Sequence, residues 1–471
     1  MDNSEKAHSL TETFRVSLPK SIKDCFMEET TIFITNFSKS DEYRKKIHQL
    51  IPGGAHTYSK GDDQFPALSP AAITHGKGSH VWDVDGNEYI ECLGGLASIS
   101  LGHAYEPVVN RVIQELWKGN NFSRPSVIEM EMAEKFLANI PGHDMIKFAK
   151  NGSTVTTAAV KLARAYTGKK LVARAAEHPF FSYDDWFIGS TDVKSGIPEE
   201  IQSLTVTFKA DDLNSLKEVF EKYPGQIACV IAEPEKFNPV TKEYLQEAID
   251  FVHSQGALWI MDEMITGYRS HFPGSMVKFG VVPDMATWGK GIANGFSFCC
   301  LTGKREIMEL GGIKAKGKEK LFLISTTHGG ETCSIAAALA TMEEFQKHDV
   351  IGHNHRLGEK YMQETKNIIH KHHLQNHIKV LQFPWHVSLA YFDQQGNNSW
   401  ELRTLFHQEM IKRAVLFQGI FCPHFSHSDQ DLEHILNAFD ESCVIFKKAL
   451  EDGVEKYLVG EPIKPVFRKY I

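Results

Sequence analysis

The feature that most constrains this chain is a pair of short apolar runs, each ending in a chemically active side chain. Residues 257–261 read Ala-Leu-Trp-Ile-Met and stop at two carboxylates, Asp262 and Glu263. In an α/β protein such a run is a strand buried on both faces, and chemistry collects at the carboxyl ends of such strands. A second run, Pro283-Asp284-Met285-Ala286-Thr287-Trp288, leads to Lys290, which stands between Gly289 and Gly291. The two runs predict an α/β fold with an acid and a lysine at strand ends.

A buried acid and a glycine-flanked lysine are what a pyridoxal phosphate site requires. The amine condenses with the cofactor aldehyde, and the carboxylate keeps the pyridine nitrogen protonated so that the ring accepts electrons. The string Asp262-Glu263-Met264-Ile265-Thr266-Gly267-Tyr268-Arg269 resembles the Asp-Glu-(Val)-x-Thr-Gly-(Phe)-Arg motif of class III, fold-type I, pyridoxal phosphate aminotransferases. Trp288-Gly289-Lys290 falls where that family carries its Schiff-base lysine. Within the class the chain is most similar to glutamate-1-semialdehyde 2,1-aminomutase and its aminotransferase relatives. The resemblance implies a large domain with a mostly parallel seven-stranded sheet flanked by helices. It also implies a small α+β domain made from N- and C-terminal segments. Residues 1–40 are read as a leader, 41–100 as an N-terminal segment of the small domain, 101–349 as the large cofactor-binding domain, and 350–471 as the C-terminal small domain.

Bulk properties agree with a small-molecule enzyme. At 471 residues the chain exceeds one small core. A net charge of -8 argues against nucleic acid or an anionic membrane as the main partner. No 18-residue apolar span appears, and the polar N-terminus lacks a signal-peptide core. The eight cysteines form no Cys-x-x-Cys pair, which fits reduced thiols in a cytoplasm.

The remaining candidate residues fall at strand ends and in loops. Residues 145–149 read as a strand, Lys150-Asn151-Gly152-Ser153-Thr154 as a small-residue turn, and 155–167 as a helix. Free amides and the positive end of a helix dipole make such a turn an anion cup. Gly152 allows close approach and the Ser153 hydroxyl can donate; the competing reading is an ordinary cap at Ser153 or Thr154. The helix string Lys161-Leu162-Ala163-Arg164-Ala165-Tyr166-Thr167-Gly168 closely resembles the family's, which implies that Asn151, Gly152 and Ser153 hold the cofactor phosphate.

The resemblance assigns further roles. His178 falls where the family stacks a tyrosine on the cofactor ring, the competing reading being a solvated loop histidine. Glu233, at the end of the apolar run 227–232, matches the family's Glu-Pro near the cofactor 3-hydroxyl. Met264 lies under the ring where the family has valine. In the loop Pro52-Gly53-Gly54-Ala55-His56-Thr57-Tyr58-Ser59-Lys60, Thr57 and Lys60 match the family's serine and arginine that bind the substrate carboxylate. An ammonium there replaces a bidentate guanidinium. Thr327 matches a threonine that reaches the phosphate of the neighbouring subunit's cofactor, which implies an obligate homodimer with shared sites.

Residues 321–325 are expected to form a strand. Gly312 to Glu319 spells most of a phosphate-binding loop, but Glu319 replaces the hydroxyl residue that binds magnesium, so it is read as surface. Six histidines between His353 and His377 are read as a charged helix face, with no metal. The loop 421–428 is shorter than in the aminomutase. Together with Lys60 and His178, it favours an aminotransferase acting on a polar carbonyl compound, a semialdehyde or sugar-like. An aminomutase moving nitrogen within one substrate remains the alternative. A non-catalytic scaffold of the same fold would be expected to lose Lys290 or Asp262, and both are present.

Overall fold

A computed structural model describes residues 33–470, apart from Phe237, Ala315 and Lys318. Residues 1–32, most of the expected leader, lie outside it. Among the described residues fourteen strands form three sheets.

The chain first builds a hairpin-rich sheet from β1 (Ile73–Lys77), β2 (His80–Asp83) and β3 (Glu88–Glu91). Its tight connection is set by Asp83, whose Oδ1 accepts the amides of Asp85 and Asn87 at 2.9 and 2.8 Å. Gly86, at φ +91°, closes the turn that the Asp85-Gly86 pair predicts.

The large sheet follows: β4 (Met145–Ala149), β5 (Leu171–Ala175), β6 (Thr205–Phe208), β7 (Ile227–Ala232), β8 (Leu258–Asp262), β9 (Met285–Trp288) and β10 (Cys299–Gly303). Its order is β4-β10-β9-β8-β7-β5-β6. β10 runs antiparallel to both β4 and β9, and the other pairs are parallel. Every residue of β5, β7, β8 and β9 is buried, which is why these strands read as unbroken apolar runs. Two successive antiparallel pairings restore direction, so β4 points the same way as β9. The carboxyl ends of β4, β7, β8 and β9 therefore share one edge, and each candidate side chain described below follows one of those ends.

The second lobe contains β11 (Ile378–Phe383), β12 (His386–Tyr391), β13 (Val415–Leu416) and β14 (Ile420–Phe421). β11, β12 and β14 form an antiparallel sheet. β13 instead pairs parallel with β3 and so ties the C-terminal segment to the N-terminal hairpin. Leu357 and Tyr361 of the helix Val350–Lys371 pack with Phe406, Phe421 and Phe439 to form this lobe's own core. Ile34 and Phe37 bury themselves against Val81, Tyr89, Ile411 and Leu416.

The strand expected at 321–325 is absent. Leu321 donates its amide to the Leu310 carbonyl at 3.1 Å, and Leu321 and Leu323 pack on the large-domain core. The apolar side chains are placed, but the backbone finds no ladder. The histidine-rich region is the helix Val350–Lys371 and its exit. There His353 binds the His427 carbonyl, His355 the Arg269 carbonyl, and His372 Asp440. Among the described residues no cluster suited to a metal occurs, and no helix is long and apolar enough to cross a membrane.

Candidate active site

The two adjacent carboxylates after β8 do different work. Glu263 is buried and accepts from the Thr266 hydroxyl and the amides of Ser275 (3.0 Å) and Met276 (2.7 Å). It anchors the 263–276 loop by capping the short helix Ser275–Phe279. Asp262 points to the other side. Its Oδ1 accepts the Met264 amide at 3.0 Å and the Thr287 hydroxyl at 2.9 Å. Its Oδ2 has no hydrogen bond among the described residues. Burial and then the charge of Glu233 push the Asp262 pKa up to about 7, against the opposing pull of Lys290 and the two donors. A buried carboxylate with one oxygen open is the partner that a protonated ring nitrogen needs.

Lys290 follows β9 with φ +48°, a left-handed conformation that costs a non-glycine residue roughly 1–2 kcal/mol. The surroundings hold it there. Ser100 donates to the Gly291 carbonyl at 2.6 Å, and Asn294 Oδ1 accepts the amides of Ser100 and Leu101 at 3.1 and 2.9 Å. Arg269 clamps the same loop through the carbonyls of Ala97 and Ile99, at 2.8 and 2.7 Å. The turns carrying Asp262 and Lys290 are thus fastened to one segment, 97–102. Enclosure lowers the Lys290 pKa, with Lys236 adding to the effect and Glu233 and Asp262 resisting it.

Glu233, just past β7, is fully enclosed. Burial pushes its pKa up, but Lys236, His178 and Lys290 outweigh that and hold it below the ordinary carboxylate value. Lys236 Nζ lies 3.1 Å from Glu233 Oε2. His178 accepts the Glu233 amide on Nδ1 at 3.3 Å and packs on Phe181. It is buried, which removes the reading of a solvated loop histidine, and burial pushes its pKa down to about 4. The ring is therefore a neutral imidazole at neutral pH.

The turn after β4 is a helix start. The helix is Gly152–Thr167, and Asn151 rather than Ser153 or Thr154 is its cap, accepting the Thr154 amide at 2.9 Å. The amides of Gly152 and Ser153 have no acceptor among the described residues. Ser153 Oγ accepts the Tyr183 amide at 3.0 Å, which leaves its hydrogen free to donate. These groups suit a phosphate. Met264 connects the cup to the rest of the site. A Cβ on Gly152 would stand 3.2 Å from its Cε, and one on Gly289 would stand 2.3 Å from its Sδ. The cup, the Asp262 turn and the Lys290 turn meet around that side chain, and together they fit the cofactor.

Three expected residues stand apart. Thr57 and Lys60 lie on the loop that includes the single turn Tyr58–Lys60, with Lys60 exposed. Neither bonds to Lys290, Asp262 or Glu233 among the described residues. Thr327 is exposed, and its carbonyl accepts from Asn121 at 3.0 Å. Sequence reasoning missed Lys236, which lies three residues beyond Glu233 and carries the signal of a charged residue just past a buried strand end. It also missed His386, which reads simply as the start of β12. Burial and then the charges of Lys236, Arg269 and Lys290 lower the His386 pKa to about 3.

The aminotransferase class-III family model matches residues 58–382. A 3-aminobutyryl-CoA aminotransferase of Cloacimonas acidaminovorans is 30% identical over 417 residues, 86% of this chain and 97% of that protein. A glutamate-1-semialdehyde 2,1-aminomutase of Persephonella marina is 30% identical over 410 residues, 81% of this chain and 92% of that protein. The internal aldimine form of the FumI protein of Sphingopyxis sp. MTA144 superposes with a TM-score of 0.79 at 21% identity, covering 88% of this chain and 97% of that one. The chain belongs to the class-III aminotransferases, enzymes that work with pyridoxal phosphate.

Proposed function

We propose that Lys290 is the catalytic amine and Asp262 the ring-nitrogen partner of a transaminase that passes an amino group to a polar carbonyl compound, a semialdehyde or sugar-like. The observation that carries this reading is the convergence of Asp262, Glu233 and Lys290 at neighbouring carboxyl ends of β8, β7 and β9. Bound pyridoxal phosphate supplies an aldehyde that takes up amines and a ring that draws electrons from the adjoining carbon. Lys290, its basicity lowered by enclosure, takes a proton from the substrate carbon next to nitrogen and returns it. Asp262 holds a proton on the ring nitrogen through Oδ2, while Thr287 and Met264 fix its Oδ1. The Gly152 and Ser153 amides and the Ser153 hydroxyl hold the phosphate beside the Asn151 cap. His178 and Met264 would hold the ring by packing, and Glu233 would hold it by a hydrogen bond from its 3-hydroxyl. Thr57 and Lys60 meet the substrate at the entrance.

A homodimer with shared sites belongs to the same reading, with Thr327 of each copy reaching the other's phosphate. Trp117, Phe122, Val127 and Met130 are exposed, and Asn121 among them binds the Thr327 carbonyl. An apolar surface beside the Thr327 segment suits a second copy. The free thiols among the described residues suit a reducing compartment such as the cytoplasm.

The second reading, intramolecular amino transfer, is favoured by the aminomutase relative, which matches over most of both chains. Supplying glutamate 1-semialdehyde with and without an external amino donor separates the two. Turnover that requires the donor is expected. Turnover without one favours the mutase.

A further inference from the structure

We propose that Lys150 is a positioning residue for the phosphate cup. Held by Glu331 and Ser334 at the start of the helix Thr332–Lys347, it fixes the turn 151–153 and so keeps the cup selective for a phosphorylated ring. This rests on the reading of that turn as the phosphate site.

Lys150 is the residue between the end of β4 and the Asn151 cap, so a shift of Lys150 is a shift of the cup. Its backbone and its side chain are both tied. The carbonyl accepts the Ser297 hydroxyl at 2.6 Å, from the segment that leads from Lys290 to β10. The ammonium donates to Ser334 Oγ at 2.5 Å and lies 2.8 Å from Glu331 Oε2. The anchor is itself fixed. Glu331 Oε1 meets His328 Nδ1 at 2.8 Å. The Thr332 and Cys333 amides donate to the carbonyl and the side-chain oxygen of Asn120, both at 3.0 Å, and the Thr332 hydroxyl donates to the Gly119 carbonyl at 2.9 Å. One residue thereby joins the cup, the Lys290 segment and the start of a long helix.

Charge explains why this lysine needs Glu331. The ammonium stands where the helices Gly152–Thr167 and Thr332–Lys347 both begin, and a helix start carries partial positive charge. A cation is repelled there unless an acid accompanies it. Glu331, the residue that precedes the second helix, is that acid. The hydrogen bond from Lys150, more than any other group, holds its carboxyl below the ordinary range. The pair is neutral as a whole, which leaves the amides of Gly152 and Ser153 as the cup's attraction for an anion. Without Lys150 the turn loses its side-chain tether, and an uncompensated carboxylate stands beside a site for a dianion. Both losses fall on the cup and leave the Thr287 and Met264 bonds to Asp262 in place.

The test titrates the cofactor-free full chain with pyridoxal phosphate and with pyridoxal, which differ only in the phosphate, and follows the visible band of the bound ligand. The readout is the ratio of the two affinities, because a general loosening of the fold weakens both ligands alike. The unmutated protein is expected to favour the phosphorylated ligand by roughly 100-fold or more. Lys150→Met is expected to cut that preference by roughly tenfold, and Lys150→Arg to restore much of it. The Lys150→Met/Glu331→Gln double variant strands no charge but leaves the turn untethered, and is expected to keep a loss of roughly threefold or more. A preference unchanged in Lys150→Met, or fully restored in the double variant, would overturn the positioning role while leaving the cup intact. Equal affinity of the unmutated protein for the two ligands would remove the cup itself, and uptake of neither would remove the Lys290 reading; this proposal falls with either.

Discussion

The floor and the rim of the candidate site are built by opposite means. The floor, comprising Asp262, Lys290 and the Gly152–Ser153 cup, stands on buried parallel strands and a helix start. Asp262 is held by Thr287 and Met264, and the Lys290 turn by Ser100, Asn294 and Arg269. The proposed rim, comprising Thr57, Lys60 and Thr327, stands on loops away from that floor. Lys60 and Thr327 are exposed. Rigid parts set a reaction that requires fixed geometry, whereas loosely held parts set which molecule enters.

The contrast is sharpest at Lys290. Replacing it with alanine is expected to lower kcat/KM by roughly 10⁴-fold or more, with little change in melting temperature, in steady-state assays with saturating cofactor. A loss of similar size from Lys60→Ala would erase the distinction between floor and rim.

Asp262→Asn comes next, with an expected loss of about 10²- to 10³-fold and weaker cofactor retention, followed by rate and by dialysis. The same residue predicts a pH effect in cofactor-free protein. Its folded pKa of about 7 lies above the ordinary 3.8, so between those values the folded state keeps a proton that the unfolded chain has released. Stability should therefore fall as pH rises from about 4 to about 7 and level off above. Urea melts of Asp262→Asn should show a shallower slope, Glu263 supplying the remainder because its pKa is also pushed up to about 7 by burial. Equal slopes in the two proteins would contradict the placement of Asp262.

Gly289→Ala is a smaller test of the floor. The new methyl would stand 2.3 Å from Met264 Sδ and 2.6 Å from Cys299 Sγ. A destabilisation of about 1–3 kcal/mol is expected by denaturant melting, together with reduced cofactor affinity. The smallest effect is expected at the entrance. Lys60→Ala should change KM by less than roughly tenfold and leave kcat alone, since an exposed charge acts through solvent, and loss of the neutral Thr57 hydroxyl in Thr57→Ala should do no more.

The same division governs what the sequence discloses. The apolar runs before Asp262 and Glu233 announce strands buried on both faces, and Lys290 between glycines announces a close backbone approach. Those signals are local, and the large sheet follows from them. The lost strand at 321–325 has the same apolar look, but pairing is decided by a distant partner that the run itself does not contain. Lys236 was in plain view, three residues past a strand end, but only the enclosed position next to Glu233 distinguishes it from a surface lysine.

Borohydride reduction of the cofactor-loaded protein, followed by peptide mass mapping, addresses the central claim most directly. Two enclosed lysines lie near Glu233, and only one follows β9. The account predicts a single cofactor mass on the peptide carrying Lys290 and none on the peptide carrying Lys236. The label on Lys236, or on no lysine at all, would contradict it.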